Sequence, residues 1–191
     1  MRTLFLLVLI ACCISCGNDA IPKPKAFLRL EYPVQQYVQI KSDLPFTFEK
    51  NKFAKDVSNI KVSADQKTYG FEIRYPSLKG TIYMTYKEVI NNNLEPYLID
   101  AQNITQKHSQ RADEIIEQPF IDPINKVYGM FYEIGGNAAS QSQFYVTDSI
   151  THFITGSLYF YAKPNYDSIL PAANYLKKDI QHIMETIRWK E

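Results

Sequence analysis

The sequence predicts an α+β domain: an antiparallel twisted sheet of about six or seven strands with two long helices packed on it. Three observations carry that reading. Phe71-Glu72-Ile73-Arg74-Tyr75 alternates apolar and charged side chains, the two-residue period of a half-buried strand. Ile169, Ala173, Leu176, Ile180, Ile183 and Ile187 recur at steps of four and three residues, the period of an amphipathic helix. The chain also holds 14 Tyr and 11 Phe, a composition that suits β-structure.

The N-terminus is not part of that domain. Met1-Arg2-Thr3 gives a short positive start, and Leu4 to Ala11 is an unbroken apolar run. It is far shorter than the roughly 20 residues that span a bilayer. All three cysteines of the chain follow at once, at Cys12, Cys13 and Cys16. They have no histidine nearby, and zinc sites usually draw on two separated ligand pairs. Cysteines this close could staple nothing distant. A cysteine behind the small residue Ser15 at the end of such a run reads as a lipoprotein signal. Residues 1–15 are the expected signal peptide and Cys16 the expected lipid attachment point. Its thiol would take a diacylglycerol thioether and its amine a further chain such as palmitate. Multiple chains anchor stably where one does not. Cleavage before Cys12, behind Leu9-Ile10-Ala11, would leave a very short signal. Residues 16–26 then read as a lipidated tether. Pro22 and Pro24 disfavour regular structure, and an extended piece rising about 3 Å per residue would hold the domain roughly 25–30 Å off the membrane. Residues 27–191 are expected to form one α+β domain.

Removing residues 1–15 takes only Arg2 from the 21 Lys+Arg and nothing from the 20 Asp+Glu, so the mature chain is formally neutral. Neutrality argues against nucleic acid as a partner and against electrostatic attraction to anionic lipid. No cysteine follows position 16, so the core carries stability without disulfides, which this length permits.

Within the domain, Phe27–Tyr32 reads as a strand ended by Pro33, and Pro45–Glu49 as a second extended piece. Residues 50–68 are polar and give no clear signal. Residues 71–75 and 81–86 form a hairpin across Pro76–Gly80. Asn91-Asn92-Asn93 offers caps for a helix over about 93–112, with Leu94, Leu98, Ala101, Ile104 and His108 as its stripe. Pro96 falls in the first turn, where it is tolerated. Strands are expected at about 126–134, 142–148 and 151–162, with Gly135-Gly136-Asn137 and Asp148-Ser149 as connections. A helix follows over 166–188, with Asp167 as its cap and Arg188 and Lys190 at its C-terminal end. This order fits a sheet covered on one face and resembles the Mog1/PsbP-like sandwich of binding and assembly factors.

No constellation announces chemistry. His108, His152 and His182 are far apart in sequence and lack metal-ligand spacing. There is no G-x-S-x-G elbow, and Gly135-Gly136-Asn137 lacks the spacing of a nucleotide-binding loop. No catalytic residue, metal or cofactor is expected. One stretch stands out, Gly136 to Ser149, rich in amides and hydroxyls. If it is a strand, Phe144 and Val146 face the core, and Gln141, Gln143, Tyr145 and Thr147 share the other face. That row carries no charge. Interface centres are depleted in charge and enriched in tyrosine. With Asn137 and Ser140 beside it at a hairpin tip, the row is the expected partner-binding surface.

Several runs resemble the gliding motility lipoprotein GldD family. Pro22-Lys23-Pro24-Lys25, Leu28–Pro33 and Pro45–Glu49 carry the likeness in the N-terminal part. GNAASQSQFYVTDS at 136–149, HFITGSLYF at 152–160, KPNYDS at 163–168 and METIRWK at 184–190 carry it more strongly in the C-terminal half. The likeness is collinear over most of the mature chain. Leu44 stands where relatives often have cysteine and Thr155 where they often have arginine. The resemblance implies a membrane-anchored lipoprotein of the cell envelope, required for gliding and linked to type IX secretion. It implies partners among other gliding motility or secretion envelope proteins, and no enzyme activity. The competing expectation is a small-ligand binding or hydrolytic periplasmic lipoprotein, which would need polar groups converging in a cleft.

Overall fold

A computed structural model describes residues 31–64, 67–107, 110–161 and 165–190, without the side chains of 58–60. The signal peptide, the three cysteines, most of the tether and His108 lie outside the described residues, as does most of the strand expected at Phe27–Tyr32. Residues 31–36 are not in a strand.

Among the described residues, eleven strands and two α-helices follow in chain order. They are β1 (Tyr37–Gln39), β2 (Phe46–Thr47), β3 (Glu49–Asn51), β4 (Ser58–Val62), β5 (Thr68–Tyr75), β6 (Gly80–Glu88), α1 (Leu94–Gln106), β7 (Ala112–Asp122), β8 (Val127–Gly136), β9 (Ser140–Thr147), β10 (His152–Phe160), α2 (Tyr166–Thr186) and β11 (Arg188–Trp189). Seven strands form one antiparallel sheet in the order β4-β5-β6-β10-β9-β8-β7. Two small two-stranded sheets, β1-β3 and β2-β11, stand beside it. The α+β architecture is therefore the predicted one.

The expected hairpin is β5-β6, with Phe71 opposite Met84 and Ile73 opposite Ile82. The four-three stripe is α2, where Ala173, Leu176, Ile180 and Ile183 are buried. They meet Phe71, Ile73, Ile82, Phe144, Ile154 and Leu158 in the main core. Gly156 is required here, because the Phe144 ring fills the space a Cβ would take.

Four expectations need correction. The sheet is covered on both faces, not one. Along β10, Ile154 and Leu158 join the α2 core, while Phe153 joins Val89 and Ala101 in a smaller cluster with α1. Successive strand residues point to opposite faces, so the two helices lie on opposite sides. Second, α1 ends at Gln106 rather than about 112, because no apolar residue extends its stripe beyond Ile104 among the described residues. Third, Ala112–Asp122 is the edge strand β7, where no strand was expected. It contains Pro119 and is exposed along most of its length, so it lacks alternation, and proline is tolerated at an edge. The segment at Pro45–Glu49 is also split between β2 and β3, which pair with different partners.

Candidate functional site

The predicted partner-binding row belongs to β9, the fifth of seven strands, with β10 and β8 on either side. Phe144 and Val146 face the α2 core as expected. The row on the other face is not free surface. Gln141, Gln143 and Thr147 are 4%, 3% and 5% exposed, and Ser140 is fully buried. The chain covers this row itself. The helix α1 lies across it, and Thr105 Oγ1 donates to Gln143 Oε1 at 2.9 Å. Gln141 Nε2 donates to the Ala138 carbonyl at 2.8 Å. Thr147 Oγ1 donates to the His152 carbonyl at 2.6 Å and accepts from the Ser149 amide at 2.9 Å. Tyr145 is half-buried against Phe153 and Tyr132. The row lacks charge because it is interior, where an amide or hydroxyl costs less to bury than a charge, although Gln141 Oε1 itself meets no partner among the described residues.

Asn137 is exposed and does structural work. Its Oδ1 accepts the Tyr166 amide at 2.9 Å, one of the unpaired donors at the start of α2. Asp167 was the expected cap. Asn165 occupies that position and caps with no side-chain bond; the bond comes from the β8-β9 connection instead.

What remains open is the flank of α1. That helix packs mainly on β10 and β9 and meets β6 at Lys87 and Glu88, so the face of β6 around Thr85 lies open beside it. A groove of about 720 Å³ runs there. Its floor is Thr85, Phe153 and Thr155, and its wall includes Tyr97, Ile104 and Lys107. Ile104 was expected in the core stripe but is 43% exposed. Lys87 Nζ sits 4.6 Å above the Tyr97 ring, closing one end. None of the groove's charged side chains, Lys87, Asp100 and Lys107, is buried.

A second polar cluster, unforeseen in the sequence, sits on the α2 face. Asp179 is 1% exposed. Its carboxylate accepts from Gln35 Nε2 at 2.8 Å, Tyr37 Oη at 3.0 Å and Asn51 Nδ2 at 3.0 Å. Burial pushes this carboxyl above its ordinary range, and the hydrogen bonds pull partly back. Tyr75 couples to it electrostatically, though its hydroxyl meets no partner in hydrogen-bonding geometry. One helical turn on, His182 Nε2 lies 2.7 Å from Glu49 Oε2, with the Tyr37 ring stacked on the imidazole. The cluster fastens residues 35–51 to α2. A signal for it was present: position 179 is three residues after Leu176 and four before Ile183, so an acid stands on the apolar face.

His152 lies elsewhere, with Nδ1 2.9 Å from Tyr86 Oη and its ring stacked on Trp189. Burial pushes its pKa below the ordinary value. Among the described residues no three His, Cys, Asp or Glu side chains are placed to hold a metal ion. None of the described helices is long and apolar enough to cross a membrane.

A family model described as gliding motility lipoprotein GldD matches residues 17–189. No curated protein and no solved structure matches the chain.

Proposed function

The chain belongs to the gliding motility lipoprotein GldD family, and from that premise we propose that it is an envelope scaffold. Lipid on Cys16 holds it to the membrane, and its domain faces the periplasm. There it acts without catalysis as an assembly factor for gliding motility and the associated type IX secretion machinery. The contact it offers is the groove beside α1, and the occupant is a segment of another envelope protein of that machinery.

The observation behind this reading is the incomplete cover of one sheet face. The α1 helix seals β9 and leaves Thr85, Thr155 and Ile104 lining an open groove. An extended segment laid there would meet threonine hydroxyls on the floor and an exposed isoleucine on the wall. The groove's volume also falls in the range of small-ligand sites, roughly 300–1,000 Å³. Such sites converge buried polar groups on the ligand, whereas none of this groove's charged side chains is buried.

Crosslinking the lipidated protein in its own cells, followed by mass spectrometry, tests the proposal. It expects another motility or secretion component, crosslinked through α1 or β6. Crosslinks confined to other surfaces would contradict it. Labelled fatty acid should be absent from Cys16→Ser; label that persists would move the anchor to Cys12 or Cys13.

A further inference from the structure

Two tight turns at one end of the sheet are built alike. In the β7-β8 turn, Asp122 Oδ1 accepts the amides of Ile124 and Asn125 at 3.1 and 3.2 Å. In the β9-β10 turn, Asp148 Oδ1 accepts the amides of Ile150, Thr151 and His152 at 3.0, 2.8 and 2.8 Å. Each is an aspartate that ties down the following backbone and places an isoleucine two residues on. Tyr128 pairs with Thr147, so the two turns emerge from the same end. Ile124 is 91% exposed and Ile150 73%. Ile121, opposite Tyr128 in the ladder, adds a third isoleucine at 72%.

Turn tips usually carry glycine, asparagine, aspartate or serine, because those residues suit the backbone and water. An isoleucine at the apex of a pinned turn contributes nothing to the core. Between the two turns stands Trp189, whose Nε1 donates to the Lys126 carbonyl at 3.0 Å and whose ring stacks on His152 at 4.9 Å. Lys126, Arg188 and Lys190 are exposed around it. Apolar tips, a tryptophan at their base and long cationic side chains at the margin match the layers of a membrane surface.

We infer that this end of the sheet dips into the lipid bilayer, with Ile124 and Ile150 as its points. The inference rests on the reading that the chain is lipid-anchored at Cys16. A bilayer suits the shape: the isoleucines sit on convex tips, which enter a fluid apolar layer and need no matching pocket. It suits the charge as well, since a formally neutral mature chain gains its contact from apolar insertion. The reach is sufficient. Residues 16–30 span at most about 50 Å. The described chain begins beside α2, where Tyr32 stacks on Tyr175. From Tyr175 to the end of α2 at Thr186 is about 17 Å. The lipid on Cys16 and the turn tips can therefore occupy the same bilayer, which fixes the orientation of the domain and of the groove beside α1.

Trp189 is the only tryptophan of the chain, so it reports on this end alone. The lipidated protein is reconstituted in phosphatidylethanolamine–phosphatidylglycerol vesicles carrying brominated acyl chains. The parent is expected to float with the vesicles and to show bromine-quenched Trp189 emission. The double variant Ile124→Ser with Ile150→Ser is expected to float equally and to lose the quenching. A parent that floats without quenching overturns the inference, as does equal quenching in both proteins. A parent that does not float shows that the anchor reading failed. Titration with excess vesicles then decides the inference separately: quenching that the double variant lacks supports it, and no quenching overturns it. Loss of motility in the double variant without any lipid quenching in the parent would assign the tips to a protein partner.

Discussion

Toward α2 the sheet presents Phe71, Ile73, Ile82, Ile154 and Leu158; toward α1 the same strands present Glu72, Arg74, Thr85, Thr155 and Ser157. The first face is closed by a helix of 21 residues and two small sheets, the second by a helix of 13 that crosses two strands. Within the second face there is a further contrast. Where α1 covers β9, the side chains are uncharged and bonded to the chain itself. Where it stops, β5 carries the Arg74–Glu72 ion pair at 2.6 Å. On this face the Arg74–Glu72 pair lies where no described helix covers the sheet, and the buried part of β9 carries no charge. A polar row without charge is therefore a sign of burial under a short helix as much as of a waiting partner.

The largest effect should come from the closed face. Leu176→Ala removes a fully buried side chain packed against the sheet. It should cost about 2–5 kcal/mol, read as a lowered melting temperature by circular dichroism. An unchanged melt would mean that α2 is not the keystone.

Next comes the polar clasp on the same face. Asp179→Ala strands the donors of Gln35, Tyr37 and Asn51, for an expected loss of about 1.5–3 kcal/mol. The pH dependence has a definite sign. The folded-state pKa of Asp179 lies above its ordinary value. Its contribution is complete below the unfolded pKa and declines as pH rises through the folded one. Denaturant titrations should show the gap between parent and variant widest at acid pH and narrower above the ordinary aspartate range. A gap that widens with rising pH would show that the carboxylate is stabilised in its ionised form.

Gln143→Glu probes the covered part of the other face. It places an acid under Thr105 at a position 3% exposed, so the substitution should destabilise by about 1–3 kcal/mol at neutral pH. Burial would raise the new carboxyl's pKa. The loss should fade as pH falls below the ordinary glutamate value, because both states then hold the proton. A variant as stable as the parent at neutral pH would return this row to the surface.

The strongly periodic parts of the chain were legible in the sequence. Residues 71–75 and 81–86 face one core with period two, and the stripe from Ala173 to Ile187 follows α2 closely. Strand β7 was not legible, since an edge exposed on both sides and broken by Pro119 has no periodic signature. The covered row was misread for a different reason. Periodicity placed Gln143 and Tyr145 on the side of β9 that α1 covers, whereas Gln141, beyond a break in the β9–β10 register, lies near α2. Periodicity carries no information about what lies across either side. The placement of α1 over β9 follows from its crossover between β6 and the far edge, a tertiary fact. Asp179 was readable as an acid in an apolar stripe, but its partners Gln35, Tyr37 and Asn51 are over 120 residues away.

The comparison of the two faces is tested most directly by gliding and secretion in cells carrying matched charge changes on the two helices. Ile104→Arg with Lys107→Glu alters the groove wall on α1, at exposed positions where stability should change by no more than about 0.5 kcal/mol. Asn174→Arg with Lys178→Glu makes the equivalent change on the exposed side of α2. With both proteins folded, anchored and normally abundant, the groove variant should impair gliding and secretion and the α2 variant should leave them intact. A groove variant that glides and secretes like the parent would contradict the account.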